Sequence, residues 1–348
     1  MKYVRLGKSG LKVSTVCLGT WHLPVSKERD SYGVFKVDVV QSKRVIGKAI
    51  DLGINFIDTA NRYHGVLNDE DPEHAGTAEK ILGQTIRGYD RESLVISTKV
   101  RGMVAYHENG EGLSRKHIMW QIRESLRRLN TDYVDIYLMH WPDVETPLEE
   151  SLDAMIDLVK MGKVNYVGAS NFHPEDIDFM VNYVRRAGAP FNVIQDQYSI
   201  LRRGLETDKV PLAKRLGLGI MAFSPLAQGF LTGKYLDGIP QMSRASYVEK
   251  MKEWYFTEEN IKFLREFHEI AKENGLKDSQ LALSWVVKTG EVLGVSMIPT
   301  ISVTSVEQLE ENIEGVEYSM SNDVYRRLNE LSRNFLNRRS EPPKTTRL

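Results

Sequence analysis

The chain has 348 residues with 46 basic against 47 acidic side chains, a balance that gives no reason to expect a phosphate-backbone partner such as nucleic acid. Its length fits either one large α/β barrel or two ordinary domains. The N-terminus MKYVRLGKSG lacks the apolar core of a signal peptide and no run approaches the ~20 apolar residues of a membrane span, so a cytoplasmic protein without a membrane partner is expected.

In chain order, KYVRLGKSGLKVSTV reads as a β-hairpin around Lys8, Ser9 and Gly10, placed to plug a barrel floor. Eight short apolar runs follow as strands, at 15–19, 54–58, 94–99, 133–139, 164–169, 192–196, 219–223 and 294–298. Most lack polar alternation, as strands buried on both faces do. Amphipathic segments lie between them, and eight strands alternating with helices make a (β/α)8 barrel the expected fold. The lone cysteine, Cys17, allows no internal disulfide or thiolate metal cage and is expected in the core.

The helix at 114–129 opens on Ser114 and aligns Ile118, Met119, Ile122, Leu126 and Leu129, with Arg127 and Arg128 at its negative end. At 146–160, Thr146 is expected to cap, Pro147 to begin the helix and Glu149 to close a capping box. Another helix is expected from Pro174 to about Arg186. TSVEQLEEN at 304–312 and the segment 322–335 form a C-terminal helical extension, and the polar tail at 337–348 is expected to be disordered, leaving 1–336 as a single domain.

Three strand ends carry the chemistry. FIDTANRYHG, LVISTKV and DIYLMHWPD bring Asp58, Tyr63, Lys99 and His140 together only if their strands are parallel neighbours. A tyrosine with an ordinary pKa near ~10 is a usable proton donor when an ammonium stabilises the phenolate it leaves. Lys99 supplies that ammonium, Asp58 keeps it charged, and His140 orients a carbonyl oxygen toward Tyr63. The set has no hydride source, which a nicotinamide cofactor would supply.

Competing readings are weaker. A cofactor-free barrel using Lys99 as a Schiff-base nucleophile is the main alternative chemistry. His64, His74, Asp69, Glu70, Asp71 and Glu73 form an acidic loop with no spacing that fixes metal ligands. GLGIMA at 217–222 matches a dinucleotide fingerprint but leads into a strand instead of following one. RRLNTDY, Arg185-Arg186 and Arg338-Arg339 read as solvated surface. Trp21 and Trp141 are expected to line a substrate pocket shared with Tyr63 and His140.

These ordered motifs resemble the aldo-keto reductase family over nearly the whole chain, from LGKSGLKVSTVCLGTW to LEENI, and most resemble its branch of potassium-channel β subunits and their bacterial relatives. The resemblance implies an NAD(P)H-dependent oxidoreductase interconverting aldehydes or ketones and alcohols, with Tyr63 as acid/base tuned by Lys99 and Asp58 and with His140 on the carbonyl. A cofactor-sensing regulatory subunit is the alternative role. The resemblance places Ser170, Asn171 and Gln195 at the nicotinamide amide and Phe223 under its ring. It gives Ser224, Pro225, Leu226, Gln228 and Gly229 to the pyrophosphate loop, Lys234 and Arg244 to phosphate, and Gln308, Glu311 and Asn312 to the adenine end. Gly19, Thr20, Trp21 and Asp58 are also expected at the cofactor.

IPTISVTS, from Ile298, lacks the basic residue with which many members hold the 2′-phosphate of NADP. Arg244 or Lys234 can supply that charge. NADP is expected ahead of NAD, with NAD the alternative. The segment at 64–77 is expected to lie over the mouth and restrict a small carbonyl or alcohol substrate, and a homo-oligomer is compatible with the sequence.

Overall fold

The computed structural model describes residues 1–31, 33–66, 71–241, 243–338 and 345. Strands β1 (Tyr3–Arg5) and β2 (Lys12–Ser14) pair antiparallel as the expected hairpin. Eight parallel strands then close into a barrel in chain order: β3 (Cys17–Gly19), β6 (Phe56–Asp58), β7 (Val95–Val100), β8 (Val134–Met139), β9 (Val164–Ser170), β10 (Phe191–Gln197), β11 (Gly219–Phe223) and β12 (Met297–Ile301). A separate antiparallel pair, β4 (Val25–Arg29) and β5 (Phe35–Val37), leaves the barrel after β3.

Helices α1 (Val39–Asp51), α2 (Thr77–Ile86), α3 (Arg115–Leu129), α4 (Leu148–Lys160), α5 (Pro174–Arg186) and α6 (Lys209–Leu216) return the chain between successive strands. The connection from β11 to β12 is the longest and carries α7 (Arg244–Tyr247), α8 (Glu249–Tyr255), α9 (Glu258–Glu273) and α10 (Asp278–Leu293). After β12 come α11 (Val306–Glu317) and α12 (Asn322–Leu331).

Strand side chains alternate between the barrel lumen and the helices. Leu6, Val13, Cys17, Phe56, Val95, Ile136, Leu138, Val193, Met221 and Ile298 fill the lower lumen as one buried cluster. That cluster holds Cys17 as expected, and burial pushes its thiol well above the usual range, which keeps it inert. The hairpin seals the floor: the Gly7 N–H donates to Ser296 Oγ (2.7 Å) and the Lys8 N–H to the Gly217 carbonyl (2.8 Å). Gly7 has φ +59°, and a Cβ there would lie 2.5 Å from the Gly217 oxygen, so only glycine fits.

Several sequence expectations are corrected. The last strand is Met297–Ile301 because Gly294, at φ +68°, still caps α10. No capping box closes α4: its N-cap is Pro147, and the Thr146 hydroxyl donates instead to Asp143 Oδ2 at 2.8 Å. Ser114 does cap α3, accepting from the His117 N–H. Arg128 is not a solvated residue, since its Nε lies 2.6 Å from the buried Glu79 carboxylate, which also accepts from Thr98 Oγ1 at 2.5 Å. Arg185 donates to the carbonyls of Leu216 and Phe191. Arg338 stacks on Phe335 and bonds Asn260 and Glu259, so the first residues of the tail are anchored. Arg339 and most of the remaining tail lie outside the described residues.

Candidate active site

The period of two that puts Phe56, Val95, Ile136 and Leu138 in the lumen puts Asp58, Lys99 and His140 there too, at the carboxyl ends of their strands. Asp58 pairs in register with Ser97, and the His140 N–H continues the ladder by donating to the Val100 carbonyl. Tyr63 comes from the loop after β6, where its N–H donates to the Ala60 carbonyl. All four expected catalytic residues therefore meet at one mouth.

Lys99 is fully buried. Its Nζ donates to Asp58 Oδ2 at 2.6 Å, to the Thr59 carbonyl at 2.7 Å and to Tyr63 Oη at 3.1 Å. Burial alone would lower its pKa, but the Asp58 carboxylate and the Tyr63 oxygen outweigh burial and hold the ammonium above its ordinary range. Burial raises the Tyr63 pKa and Lys99 opposes that rise, so the phenol keeps its proton through neutral pH while resting against the cation that would stabilise its loss. The His140 ring sits edge-on to Tyr63 with centroids 5.6 Å apart. Burial, then Lys99, Arg62 and Arg101, push its pKa well down, and His140 is a neutral imidazole with Nδ1 unbonded among the described residues.

The opposite wall comes from β9 to β12. Ser170, Gln195, Phe223 and Thr300 follow the lumen parity of Tyr166, Val193, Met221 and Ile298. Asn171, left-handed at φ 64°, donates from Nδ2 to the His140 carbonyl (3.0 Å) and to Ser170 Oγ (2.9 Å), coupling the two walls. Gln195 Nε2 faces Met221 Sδ at 3.7 Å. Beyond Phe223 the loop holds Ser224 (φ 54°), Ala227 (48°), Gln228 (58°) and Gly229 (91°) in left-handed conformations. Each non-glycine residue there costs roughly 1–2 kcal/mol, a strain that concentrates at ligand-binding loops. The Gly229 N–H is committed to the Leu226 carbonyl, so that expected phosphate donor is already used.

Cations gather beside this loop. A Cβ on Gly229 would meet Lys234 Nζ at 3.1 Å, and Arg244 lies 4.8 Å over the Trp21 ring, which is 44% exposed. His22 is held down to about 3, first by burial and then by Arg244 and Lys234, so both cations act on the same ring. Left-handed backbone beside paired cations fits the phosphates of a dinucleotide. Gln308, Glu311 and Asn312 share the first turns of α11. Gln308 accepts from Thr304, Glu311 from Lys277 and Ser279, and Asn312 is buried.

Gly19 and Thr20 adjoin Asp58, the Thr20 N–H donating to the Asp58 carbonyl at 2.9 Å. Trp141 packs on His140 with ring centroids 4.5 Å apart. The segment after Tyr63 is held from both sides. His64 and His74 meet edge-on, His74 lies 3.9 Å from Asp30, and Tyr106 reaches Asp71. Leu67 to Glu70, which belong to the segment expected over the mouth, lie outside the described residues. No three metal-ligating side chains assemble among the described residues. Sequence reasoning missed His22, Arg62 and Arg101. Only the adjacency of Arg62 to Tyr63 could have signalled one of them.

The sequence profile of the Aldo/keto reductase family matches residues 15–333. The chain is similar to L-glyceraldehyde 3-phosphate reductase of Escherichia coli (strain K12), 37% identical over 327 residues, which cover 91% of this chain and 88% of that protein. It is also similar to the uncharacterized oxidoreductase YrpG of Bacillus subtilis (strain 168), at 34% identity over 95% of this chain and 96% of that protein. A putative voltage-gated potassium channel subunit beta of Schizosaccharomyces pombe is 34% identical over 94% of this chain and 92% of its own length.

Proposed function

The chain belongs to the aldo/keto reductase family of oxidoreductases, which use nicotinamide cofactors, and from that premise we propose that it reduces aldehydes or ketones to alcohols with Tyr63 as the proton donor. The observation that carries this reading is the Asp58–Lys99–Tyr63 chain of contacts at 2.6 and 3.1 Å, set edge-on to a neutral His140.

A bound reduced nicotinamide supplies the hydride. Every other task falls to side chains of this protein. The His140 imidazole, being neutral, offers an N–H to the carbonyl oxygen and orients it toward Tyr63. As negative charge develops on that oxygen, Tyr63 gives up its proton, and the Lys99 ammonium 3.1 Å away stabilises the phenolate left behind. Asp58 prevents burial from neutralising Lys99. Ser170, Asn171 and Gln195 are assigned to the nicotinamide amide, Phe223 to its ring face, Ser224, Pro225, Leu226 and Gln228 with Lys234 and Arg244 to the phosphates, and Gln308, Glu311 and Asn312 to the adenosine.

NADP is the proposed cofactor, with Arg244 paired to its additional phosphate. Arg244→Leu should then raise the Kd of NADPH by about tenfold or more, the loss of one charge-assisted hydrogen bond, and change that of NADH much less. Fluorescence titration checks this, and equal losses for both nucleotides contradict it. The reductase reading is tested by titrating NADPH and following its absorbance with a panel of aldehydes. Tight binding with turnover supports it. Tight binding with no turnover favours a cofactor-sensing subunit, the reading raised by the relatives named as channel β subunits.

A further inference from the structure

Arg62 and Arg101 stand on the side of the mouth away from the residues assigned to the nucleotide. Arg62 lies on the loop after β6 and Arg101 immediately follows β7, whereas the nucleotide wall comes from β9 to β12 and the loops and helix that follow β11 and β12. Their guanidinium carbons sit 5.5 and 5.0 Å from the Trp141 ring centroid, and Trp141 packs on His140. Arg62 makes no hydrogen bond or ion pair with another described residue, and Arg101 Nε is buried without a partner. Among the described residues, the exposed Glu111 lies 3.1 Å from Arg101 Nη1 and the Asp143 carboxylate also feels the Arg101 charge, while neither is bonded to Arg62.

The backbone is built around the pair. Arg101 is held at φ 142°, a conformation that is costly for a residue with a side chain. The Arg62 stem crosses Gly102 so closely that a Cβ there would overlap its Cδ. Two half-buried guanidinium groups lacking full pairing, held beside the carbonyl-orienting imidazole, have the chemistry to bind an anion, because desolvated arginine donors are stabilised by carboxylate or phosphate oxygens.

We propose that Arg62 and Arg101 form an anion subsite that selects carbonyl substrates carrying a carboxylate or phosphate a few bonds from the reacting carbon. This rests on the reductase reading above. Trp141 is the shared platform that fixes both guanidinium planes, and Gly102 is the clearance that lets Arg62 reach it.

The test compares kcat/KM for succinic semialdehyde with butyraldehyde, and for glycolaldehyde phosphate with glycolaldehyde. The first pair reads carboxylate selection and the second phosphate. In the wild type the anionic member of at least one pair should be favoured by about tenfold or more, the value of one charge-assisted hydrogen bond. Arg62→Met and Gly102→Ala should collapse that ratio, while Arg127→Gln on the exposed face of α3 should not. A wild-type ratio near one, or a ratio untouched in Arg62→Met, overturns the proposal.

Absence of turnover on every aldehyde instead overturns the reductase reading. Calorimetric titration with inorganic phosphate and with acetate then decides the anion subsite independently. Binding to the wild type that Arg62→Met loses supports it, and no binding to the wild type overturns it.

Discussion

Lys99 carries its charge in a fully buried site, and the Asp58 contact at 2.6 Å, the Thr59 carbonyl and the Tyr63 oxygen make that tolerable. Replacing it by methionine leaves Asp58 buried with Oδ1 already unbonded, and breaking a buried pair in this way costs about 3–5 kcal/mol. Lys99→Met should therefore lower the unfolding free energy by that order in urea titration. It should also move the pH rise of alcohol oxidation upward, since Tyr63 loses the cation that opposes its raised pKa. An unchanged midpoint and an unchanged profile would contradict both roles. His22 makes a second prediction. Its pKa is held to about 3 in the fold, by burial and then Arg244 and Lys234, against about 6.5 in an unfolded chain. Between those values the unfolded chain binds the extra proton, so stability present above pH 6.5 is lost as pH falls through this window. His22→Asn removes that loss, and its Tm should fall less steeply than that of the wild type between pH 6.5 and 4. Parallel slopes would show that His22 is charged in the fold.

At the scale of elements, the Glu79–Arg128 pair ties α2 to α3 while Thr98 ties the same carboxylate to β7. Glu79→Ala should cost about 3–5 kcal/mol, since it leaves Arg128 nearly buried and unpaired. Denaturant midpoints for Glu79→Ala and for Glu79→Leu with Arg128→Met should differ, the double replacement recovering much of the loss. Such pairs were invisible in the sequence, where Arg128 reads as a helix-end cation. The barrel strands were legible because their apolar runs have no other stable home than a parallel sheet covered on both faces. Asp58, Lys99 and His140 were legible because a polar residue ending such a run must face the lumen mouth. The pair β4 and β5 was not legible, because VSKER and FKV are short, no β4 residue is buried, and the turn that pairs them is closed by a backbone bond, the Asp30 N–H donating to the Val34 carbonyl. The left-handed backbone from Ser224 to Gly229 was also hidden, since only Gly229 has the residue type that announces it.

The whole molecule divides its labour by position around one ring. Strands β6, β7 and β8 deliver the proton-handling groups, while β9 to β12 and the connections after β11 and β12 deliver a strained, cationic wall, with Asn171 joining the two. Among the described residues no helix is long and apolar enough to cross a membrane. A ligand bound to the folded state alone stabilises it by mass action, so NADPH at a hundredfold excess over its Kd should add about 2.7 kcal/mol to the unfolding free energy. Denaturation with and without nucleotide checks this, and no shift would remove the cofactor wall from the account. The measurement that bears most directly on the central claim is stopped-flow oxidation of NADPH by the wild type and by Tyr63→Phe with one aldehyde, paired with nucleotide binding to both. The account predicts NADPH affinity within about twofold and a hydride-transfer rate reduced by about 10²- to 10⁴-fold, the worth of a positioned general acid. Equal rates would show that Tyr63 is not the proton donor.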